Sequence, residues 1–354
     1  MKKIIFRTDS AFIIGSGHLM RCLTLADELK QNGAEIKFIS RDLPENLTEI
    51  AEKKGYKVYK LPYKNKKEII IDDYSTWLGT DFREDAEETI KILEQESPDW
   101  IIIDHYAIDI KWEQIVRPYV KKIMVIDDLA NRQHDCDLLL DQNLVENMEN
   151  RYNKLVPAHC KKLLGPSYAL LRPEFREARK KLKKRDGTVR RILIFFGGSD
   201  PTNETEKALR AVLMLNRPDI TVDVVVGKAN PHKEKIKKLC AIHSNVNYYC
   251  QVNNMAELMA EADLAIGAGG ATTWERCYMG LPSVVIDIAE NQKIVTDYLS
   301  KSGFIIYLGI SEEVDIYRIH EEIAKIIENT DILLSIKRKY YELRVGSFRV
   351  SPYI

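Results

Sequence analysis

The stretch that decides the fold is residues 3–22, KIIFRTDSAFIIGSGHLMRC. It begins with an apolar run at residues 4–6 bounded by charged residues, which is typical of a strand covered on both faces. Over residues 19–29 apolar side chains recur every three or four positions, and this spacing predicts an amphipathic helix. Gly15 and Gly17 permit tight backbone geometry between the two elements. The stretch therefore predicts a strand–loop–helix unit of a parallel sheet.

His18 follows the glycine turn and stands near the start of the predicted helix. Unpaired backbone N–H groups and the helix dipole favour anions there, and ligands bind at this edge of an open parallel sheet. A histidine can also take a proton from water near neutral pH. The spacing leaves two interpretations open, a catalytic base and a structural imidazole. Gly15-Ser16-Gly17 is not a dinucleotide fingerprint, because no third glycine follows at the required offset.

The composition narrows the class of protein. A chain of 354 residues predicts about two domains, at roughly 150 residues each. Lys plus Arg number 53 and Asp plus Glu number 53, so the balance gives no support for nucleic-acid binding. The six cysteines include no C-x-x-C pair and no zinc-type spacing, which favours free thiols in a reduced cytoplasmic compartment. We see no signal-peptide region and no apolar run long enough to span a membrane.

Apolar strands in the first half end in polar residues. Strand and helix signals alternate there, which predicts right-handed crossovers and a parallel sheet. Because the carboxyl ends of parallel strands meet at one edge, we expect a site at that edge as a whole. Any single aspartate there has the alternative role of a helix cap. The strand ends are Arg7 to Ser10, Asp104-His105, Asp127-Asp128 and Asp141 to Asn143.

The second half repeats the pattern with glycine-rich turns. One turn, at residues 197–199, follows a buried strand, and another, at residues 267–270, precedes Thr272 and Thr273. Two such turns predict a phosphate or nucleotide cradle built from backbone N–H groups, although each alone fits ordinary tight turn geometry. Neither is a P-loop, because no Gly-Lys-Ser/Thr follows. Glu275 is a candidate acceptor for ribose hydroxyls, or it complements a helix dipole.

A basic stretch at residues 174–185 fits a solvated helix face at a domain boundary. The predicted divisions are an N-terminal domain at 1–172, a linker at 173–190, a C-terminal domain at 191–335, and a tail at 336–354 that we suspect crosses back to the first domain.

Five separated motifs carry a family resemblance. They are FRTDS at 6–10 with IGSGHLMRC at 14–22, IDD at 126–128, DQN at 141–143, FGGSDP at 196–201, and GGATTWERC at 269–277. In this order they resemble the PseG family, the UDP-2,4-diacetamido-2,4,6-trideoxy-β-L-altropyranose hydrolases of pseudaminic acid biosynthesis. Spore-coat polysaccharide proteins of similar sequence belong to the same family. The resemblance covers nearly the whole chain.

The resemblance implies a fold and a reaction. The fold is the glycosyltransferase-B architecture, two doubly wound α/β Rossmann-like domains, with UDP held by the C-terminal domain and the sugar by the N-terminal one. His18 corresponds to the family's catalytic histidine and would activate water for inverting attack at C1. The resemblance implies neither a metal nor a cofactor. The expected substrate-binding residues are Arg7, Asp9, Gly15, Gly17, Arg21, Asp104, Asp127, Asn143 and Asn291. The expected UDP-binding residues are Gly197, Gly198, Ser199, Gly269, Gly270, Thr272, Thr273 and Glu275.

Two other functions stay open. A glycosyltransferase would pass the sugar to an acceptor and would show an apolar or basic membrane-facing patch, of which the sequence gives no convincing sign. A non-catalytic binding protein would hold the nucleotide sugar and be indifferent to the loss of His18. The exact sugar, the oligomeric state, the partner proteins and the destination of the product (flagellin glycan, capsule or spore coat) are not predicted.

Overall fold

The chain forms two compact units in a computed structural model that describes residues 1–11, 14–64, 68–71, 73–182 and 184–354. Within these ranges, the first unit comprises Met1–Asn143, Asn147–Leu170 and Ser347–Ile354. The second comprises Leu144–Glu146 and Leu171–Gly346. Phe12 and Ile13, in the predicted loop after the first strand, lie outside the described residues.

The first unit is built on a seven-stranded sheet in which every pairing is parallel. Its strands are β1 (Lys3–Thr8), β2 (Glu35–Arg41), β3 (Lys57–Leu61), β4 (Trp100–Asp104), β5 (Lys122–Ile126), β6 (Leu138–Asp141) and β7 (Lys161–Leu164). Its helices are α1 (Gly17–Gln31), α2 (Glu49–Lys53), α3 (Phe82–Glu96) and α4 (Ile110–Val116). The strand order β3-β2-β1-β4-β5-β6-β7 reverses between β1 and β4, which is where ligands bind in such sheets.

The second unit is built on a six-stranded parallel sheet of order β10-β9-β8-β11-β12-β13. Its strands are β8 (Arg191–Phe195), β9 (Thr221–Val226), β10 (Val246–Cys250), β11 (Leu264–Gly267), β12 (Ser283–Asp287) and β13 (Ile306–Ile310). Its helices are α5 (Pro173–Lys180), α6 (Glu204–Leu213), α7 (Lys233–Ala241), α8 (Met255–Glu261), α9 (Ala271–Tyr278), α10 (Lys293–Lys301), α11 (Ile316–Glu328) and α12 (Thr330–Tyr340). The prediction of two doubly wound α/β domains is confirmed.

Strand β1 is buried on both faces, as its apolar run predicts. Ile4 and Phe6 pack in the apolar cluster on one side of the sheet, and Ile5 packs in the cluster on the other. The Phe6 ring stacks on Phe38 of β2 with 5.0 Å between ring centroids. Covered on both sides, β1 lies in the middle of its sheet and presents only its carboxyl end to ligands.

The stretch predicted as a linker is largely packed against the second unit. Helix α5 occupies its first half, and Phe175 is fully buried there. Arg185, which the charge pattern places on a solvated face, is instead buried. Its guanidinium donates to the carbonyls of Met259, Ala262 and Met279, at the ends of α8 and α9. A buried arginine here satisfies carbonyl groups that the helix ends leave without a partner.

The final segment, Ser347–Ile354, packs on the first unit. The Phe348 backbone N–H donates to the Ser167 carbonyl at 2.9 Å, and the Lys2 ammonium donates to the Ile354 carbonyl at 2.6 Å. Among the helices of the described ranges, none combines the length and the apolar character that crossing a bilayer requires.

Candidate functional site

The centre of the first unit's carboxyl edge is a histidine–carboxylate pair. His18 is the second residue of α1 and Asp104 is the last residue of β4, and both are buried. His18 Nδ1 lies 2.6 Å from Asp104 Oδ1. Because a carboxylate faces Nδ1, we assign the neutral ring's proton to that nitrogen, which leaves Nε2 with its lone pair. No side chain of the described ranges forms a hydrogen bond with Nε2.

Arg21 fixes the charge of Asp104. Its Nε and Nη2 donate to the two oxygens of that carboxylate, at 2.5 and 2.7 Å. Burial opposes ionisation of Asp104, but the charges of Arg21 and His18 and their hydrogen bonds outweigh it and lower the pKa of the carboxyl well below its usual range. Asp104 is therefore an anion at neutral pH, held in one orientation against His18.

An aromatic cluster encloses the imidazole. The His18 ring meets Tyr106 edge-on with 4.4 Å between centroids, and Trp77 lies 6.1 Å away at a similar angle. Tyr74 packs against both aromatic residues, at 4.9 Å from each. The Tyr106 hydroxyl donates to Asp128 at 2.7 Å. These contacts restrict the orientation of the His18 ring.

Two predicted sugar-binding residues, Arg7 and Asp9, are withdrawn from solvent. Both are at most 1% exposed, and Arg7 donates to Asp9 at 2.6 Å and to Asp85 at 2.7 Å. Asp9 also accepts from the Arg41 backbone N–H and lies 3.0 Å from His105 Nε2. The structure places this ion-pair network beside the His18 pair, where Arg7 and Asp9 each lie against oppositely charged or ionisable protein groups.

Asp127 and Asn143 belong to a further cluster. The Tyr152 hydroxyl lies 3.0 Å from both Asp127 and Asp141, and the Asn143 backbone N–H donates to Asp141 at 2.9 Å. Burial raises the pKa of Asp141 to about 7 against the opposing charge of Arg151. The Tyr152 hydroxyl thus lies between the two carboxylates and can donate to either of them.

The two predicted glycines of the first unit shape the start of α1. Gly15 has a φ of +82°, a conformation that favours glycine, and its N–H donates to the Ala11 carbonyl at 2.8 Å. Gly17 is the first residue of α1, and a Cβ there would meet no atom within 4 Å among the described residues. Gly15 is thus required by the backbone, whereas Gly17 leaves open space beside His18.

The glycine turn after β8 brings two strand ends together. Gly197 has a φ of +91°, and a Cβ on Gly227, after β9, would lie 2.0 Å from the Gly198 carbonyl oxygen. Ser199 follows, half-buried. Asp200 then accepts from two backbone N–H groups at the start of α6, at 2.9 and 3.0 Å.

The turn after β11 forms the start of α9. Gly270 has a φ of +88°, and a Cβ on Gly269 would lie 2.9 Å from Asp287 Oδ1. Thr272 is half-buried, whereas Thr273 is buried and accepts from Arg276 Nη2 at 3.0 Å.

Glu275 and Asn291 occupy different settings in the second unit. The Glu275 carboxylate accepts from Arg172 at 2.9 and 3.2 Å. The carboxylate predicted to accept from ribose hydroxyls is therefore already paired with an arginine. Asn291 is exposed in the single 3₁₀ turn Glu290–Gln292. It lies in the second unit, whereas the other predicted sugar-binding residues lie in the first.

Sequence reasoning placed Asp128 at the edge beside His18 but did not select it as a site residue, and it selected neither Tyr106 nor Trp77. Asp104-His105-Tyr106 and Asp127-Asp128 were visible as strand ends, so their neighbourhood was available as a signal. Trp77 lies in an irregular stretch between β3 and α3, where no periodicity indicates what it contacts. Across the described ranges, no group of three or more His, Cys, Asp or Glu is arranged to hold a metal ion.

Comparison with known proteins begins with the second unit. Residues 192–339 match the glycosyltransferase family 28 C-terminal domain. The solved structure of MurG from Acinetobacter baumannii superposes with a TM-score of 0.64, covering 97% of this chain and 95% of MurG at 14% identity. The chain therefore has the glycosyltransferase-B architecture.

Sequence relatives cover both units. The UDP-2,4-diacetamido-2,4,6-trideoxy-β-L-altropyranose hydrolase of Campylobacter jejuni is 28% identical over 304 residues, 85% of this chain and 97% of the hydrolase. This chain resembles that hydrolase over most of its length. An uncharacterized protein of Methanocaldococcus jannaschii is 30% identical over 309 residues, 84% of this chain. SpsG of Bacillus subtilis, a spore coat polysaccharide biosynthesis protein, is 32% identical over 179 residues, 49% of this chain. The alignments span 58% of the Methanocaldococcus protein and 51% of SpsG.

Proposed function

We propose that this protein acts on a nucleotide sugar and hydrolyses a UDP-linked 2,4-diacetamido-2,4,6-trideoxy-L-altrose to UDP and the free sugar. The observation that carries the proposal is the buried His18–Asp104 pair, 2.6 Å apart at the switch point of the first sheet. The Campylobacter hydrolase, which aligns over 97% of its length, supplies the substrate class.

The chemistry is a displacement at the anomeric carbon. His18 Nε2 accepts a proton from water while the water oxygen bonds to C1 from the face opposite UDP. The bond between C1 and the diphosphate oxygen breaks, and its electron pair leaves with UDP, so the configuration at C1 inverts. Asp104, bound to Nδ1, stabilises the imidazolium that forms.

The second unit supplies the nucleotide's binding groups in this proposal. The turns at Gly197-Gly198 and Gly269-Gly270 follow the carboxyl ends of β8 and β11, and their backbone N–H groups are the ones proposed to bind the diphosphate. Such groups, together with the N-terminus of a helix such as α9, stabilise phosphate charge. The departing UDP needs this stabilisation because negative charge develops on its terminal oxygen.

Glycosyl transfer is the second candidate, because the family 28 model describes glycosyltransferases and matches residues 192–339. Both reactions break the same bond and differ in the nucleophile. Hydrolysis proceeds without an acceptor, whereas transfer requires one.

The test measures UDP release and the anomeric configuration of the first-formed sugar. His18→Gln is compared with His134→Gln, which alters another buried imidazole, bound to Glu113 at 2.6 Å in the same unit. We expect His18→Gln to lower kcat by about 10³-fold, the scale of general base catalysis, and His134→Gln to retain most of the rate. Both variants are checked for folding by thermal unfolding.

Each alternative has its own outcome. Release that appears only after an acceptor is added would establish transfer. UDP binding without turnover across a panel of UDP-sugars would establish a binding protein. Full activity of folded His18→Gln would remove His18 from the catalytic role.

A further inference from the structure

Five side chains form a closed circuit around the candidate base. His18 binds Asp104, Asp104 binds Arg21, and Arg21 Nη1 donates to Asp128 at 2.7 Å. Asp128 accepts from the Tyr106 hydroxyl, and the Tyr106 ring returns to His18 at 4.4 Å. The circuit connects α1 with the carboxyl ends of β4 and β5, three elements that are separate in sequence.

Arg21 is engaged by the protein, although the sequence places it among the sugar-binding residues. Three of its donor groups (Nε, Nη1 and Nη2) bind carboxylates of Asp104 and Asp128, and its side chain is 8% exposed. Burial opposes its charge, but Asp104 and Asp128 outweigh burial and raise the pKa of the guanidinium well above its usual range. Arg21 is therefore a permanent cation within this circuit.

The guanidinium lies within hydrogen-bond distance of the imidazole, and in the tautomer assigned above both groups are donors. Arg21 Nη2 lies 3.2 Å from His18 Nδ1, but the proton assigned to Nδ1 is directed to Asp104. Two donors facing each other repel, and the repulsion increases when the imidazole gains a second proton. Arg21 thus offsets part of the electrostatic stabilisation that the Asp104 carboxylate gives to a protonated His18 ring.

The other ionisable groups near His18 do not cancel the opposing effects of Arg21 and Asp104 on the imidazole. Asp128 lies on the far side of the guanidinium from Asp104, and the Tyr106 hydroxyl donates to it. Burial lowers the pKa of His105 against its bond to Asp9, so that ring is neutral near pH 7. Arg7 is paired with Asp9 and Asp85, and burial raises the pKa of the Cys22 thiol beside Asp104, so among the described neighbours Arg21 is the cation that offsets Asp104 and Asp128.

We propose that Arg21 is a positioning residue for the hydrolysis proposed above: it holds Asp104 against His18 Nδ1 and its charge favours the neutral, proton-accepting imidazole. Asp128 and Tyr106 in turn hold Arg21 in place. The inference rests on His18 being the base of the proposed reaction, but the electrostatic arrangement is measurable without turnover.

The first experiment compares Arg21→Gln with wild type in kcat/KM across pH 5 to 9. Loss of the cation leaves two carboxylates near His18, so we expect the midpoint of the acidic limb to move to higher pH by about one unit. Activity at pH 7 falls accordingly and recovers in part at pH 9. Arg21→Lys, which retains the charge but not the fork, keeps the midpoint within a few tenths of a unit while kcat falls.

The second experiment follows the His18 ring by NMR in the full-length protein without substrate, with its signal assigned by its loss in His18→Gln. We expect its titration midpoint in Arg21→Gln to move upward by about one unit. Arg191→Gln is the matched control, because Arg191 also pairs with two carboxylates, that of Asp223 through Nε and Nη2 and that of Glu261 through Nη1. Arg191 begins β8, at the opposite end of the strand from the glycine turn.

The outcomes separate this inference from the proposed function. If the wild type hydrolyses no nucleotide sugar, the proposed function fails, while the NMR shift still decides the role of Arg21. An unshifted midpoint in folded Arg21→Gln, or an equal shift in Arg191→Gln, overturns the inference. If Arg21→Gln does not fold, Arg21→Lys decides it, because a kcat equal to that of wild type would show that the guanidinium fork does not hold Asp104 against His18.

Discussion

The two units share a strand order but present different groups at their carboxyl edges. In the first unit, β1, β2, β4, β5 and β6 end in or beside charged side chains, each of which forms an ion pair within that unit. In the second, β8, β9 and β11 end in or beside glycines, and Asp287 ends β12. A doubly wound sheet thus supports either a preorganised charged constellation or an open backbone surface.

The difference follows from how each edge is held together. Charged side chains can be buried only as satisfied networks, so the first edge is rigid wherever its ion pairs are complete. Glycine turns let backbones approach closely and leave N–H groups accessible to a ligand. We therefore expect the removal of a charge to destabilise the first unit and the addition of a methyl group at a glycine to destabilise the second.

The largest effect is expected from Asp85→Ala in α3. The Asp85 carboxylate accepts from Arg7 at 2.7 Å, Arg41 at 2.7 Å and the Trp112 indole at 2.9 Å. Its removal leaves two buried guanidinium groups without this partner, and we expect the free energy of unfolding to fall by about 4 kcal/mol. Chemical denaturation measures the loss, and hydrogen exchange locates it in the first unit. Exposed Glu87→Ala on the same helix is the control, with a change within about 0.5 kcal/mol.

Gly227→Ala tests the second edge. The added Cβ would lie 2.0 Å from the Gly198 carbonyl oxygen, so a strand end must move. We expect a loss of about 3 kcal/mol, with faster amide exchange in the second unit. Gly17→Ala, where the methyl meets open space, is expected to change the free energy of unfolding by less than about 0.5 kcal/mol. Equal effects of the two substitutions would contradict the comparison.

The smallest change in the free energy of unfolding is expected at Asp287. The pKa of its carboxyl is raised, whereas the pKa of the Asp104 carboxyl is lowered. Burial raises the pKa of Asp287 to about 6 against hydrogen bonds from Thr296 and Tyr307, so the folded state binds its proton more tightly than the unfolded chain. The resulting stability is present below about pH 4 and is lost as pH rises to about 6. We expect Asp287→Asn to be about 1 to 2 kcal/mol more stable than wild type at pH 7 and similar at pH 4.

Denaturation at the two pH values checks this. Asp219→Asn, which changes an exposed aspartate paired with Arg217, should show no such pH dependence. A variant of Asp287 that is less stable than wild type at pH 7 would show that its carboxylate is needed in the ionised form.

Local pattern was sufficient for the strand–turn–helix units that form the two carboxyl edges, whereas α7 was not predicted and the boundary between α11 and α12 lies elsewhere than predicted. The apolar run of β1, the helical spacing of α1 and the glycine turns of the second unit all depend on neighbours within a few residues. The site required more. Asp104 was visible as a strand end, but its bonds to His18 and Arg21 were not, and neither was the bond between Glu275 and Arg172.

The sequence by itself determined two doubly wound sheets and the edge of each at which a site is expected, because periodicity and turn residues act locally and parallel strands align their carboxyl ends. Only the tertiary structure decided which charges meet. His18 and Asp104 are 86 residues apart in the chain, and Arg21 and Asp128 are 107 apart. Their contact depends on β4 lying beside β1 and β5 beside β4, an order set by the packing of the whole sheet.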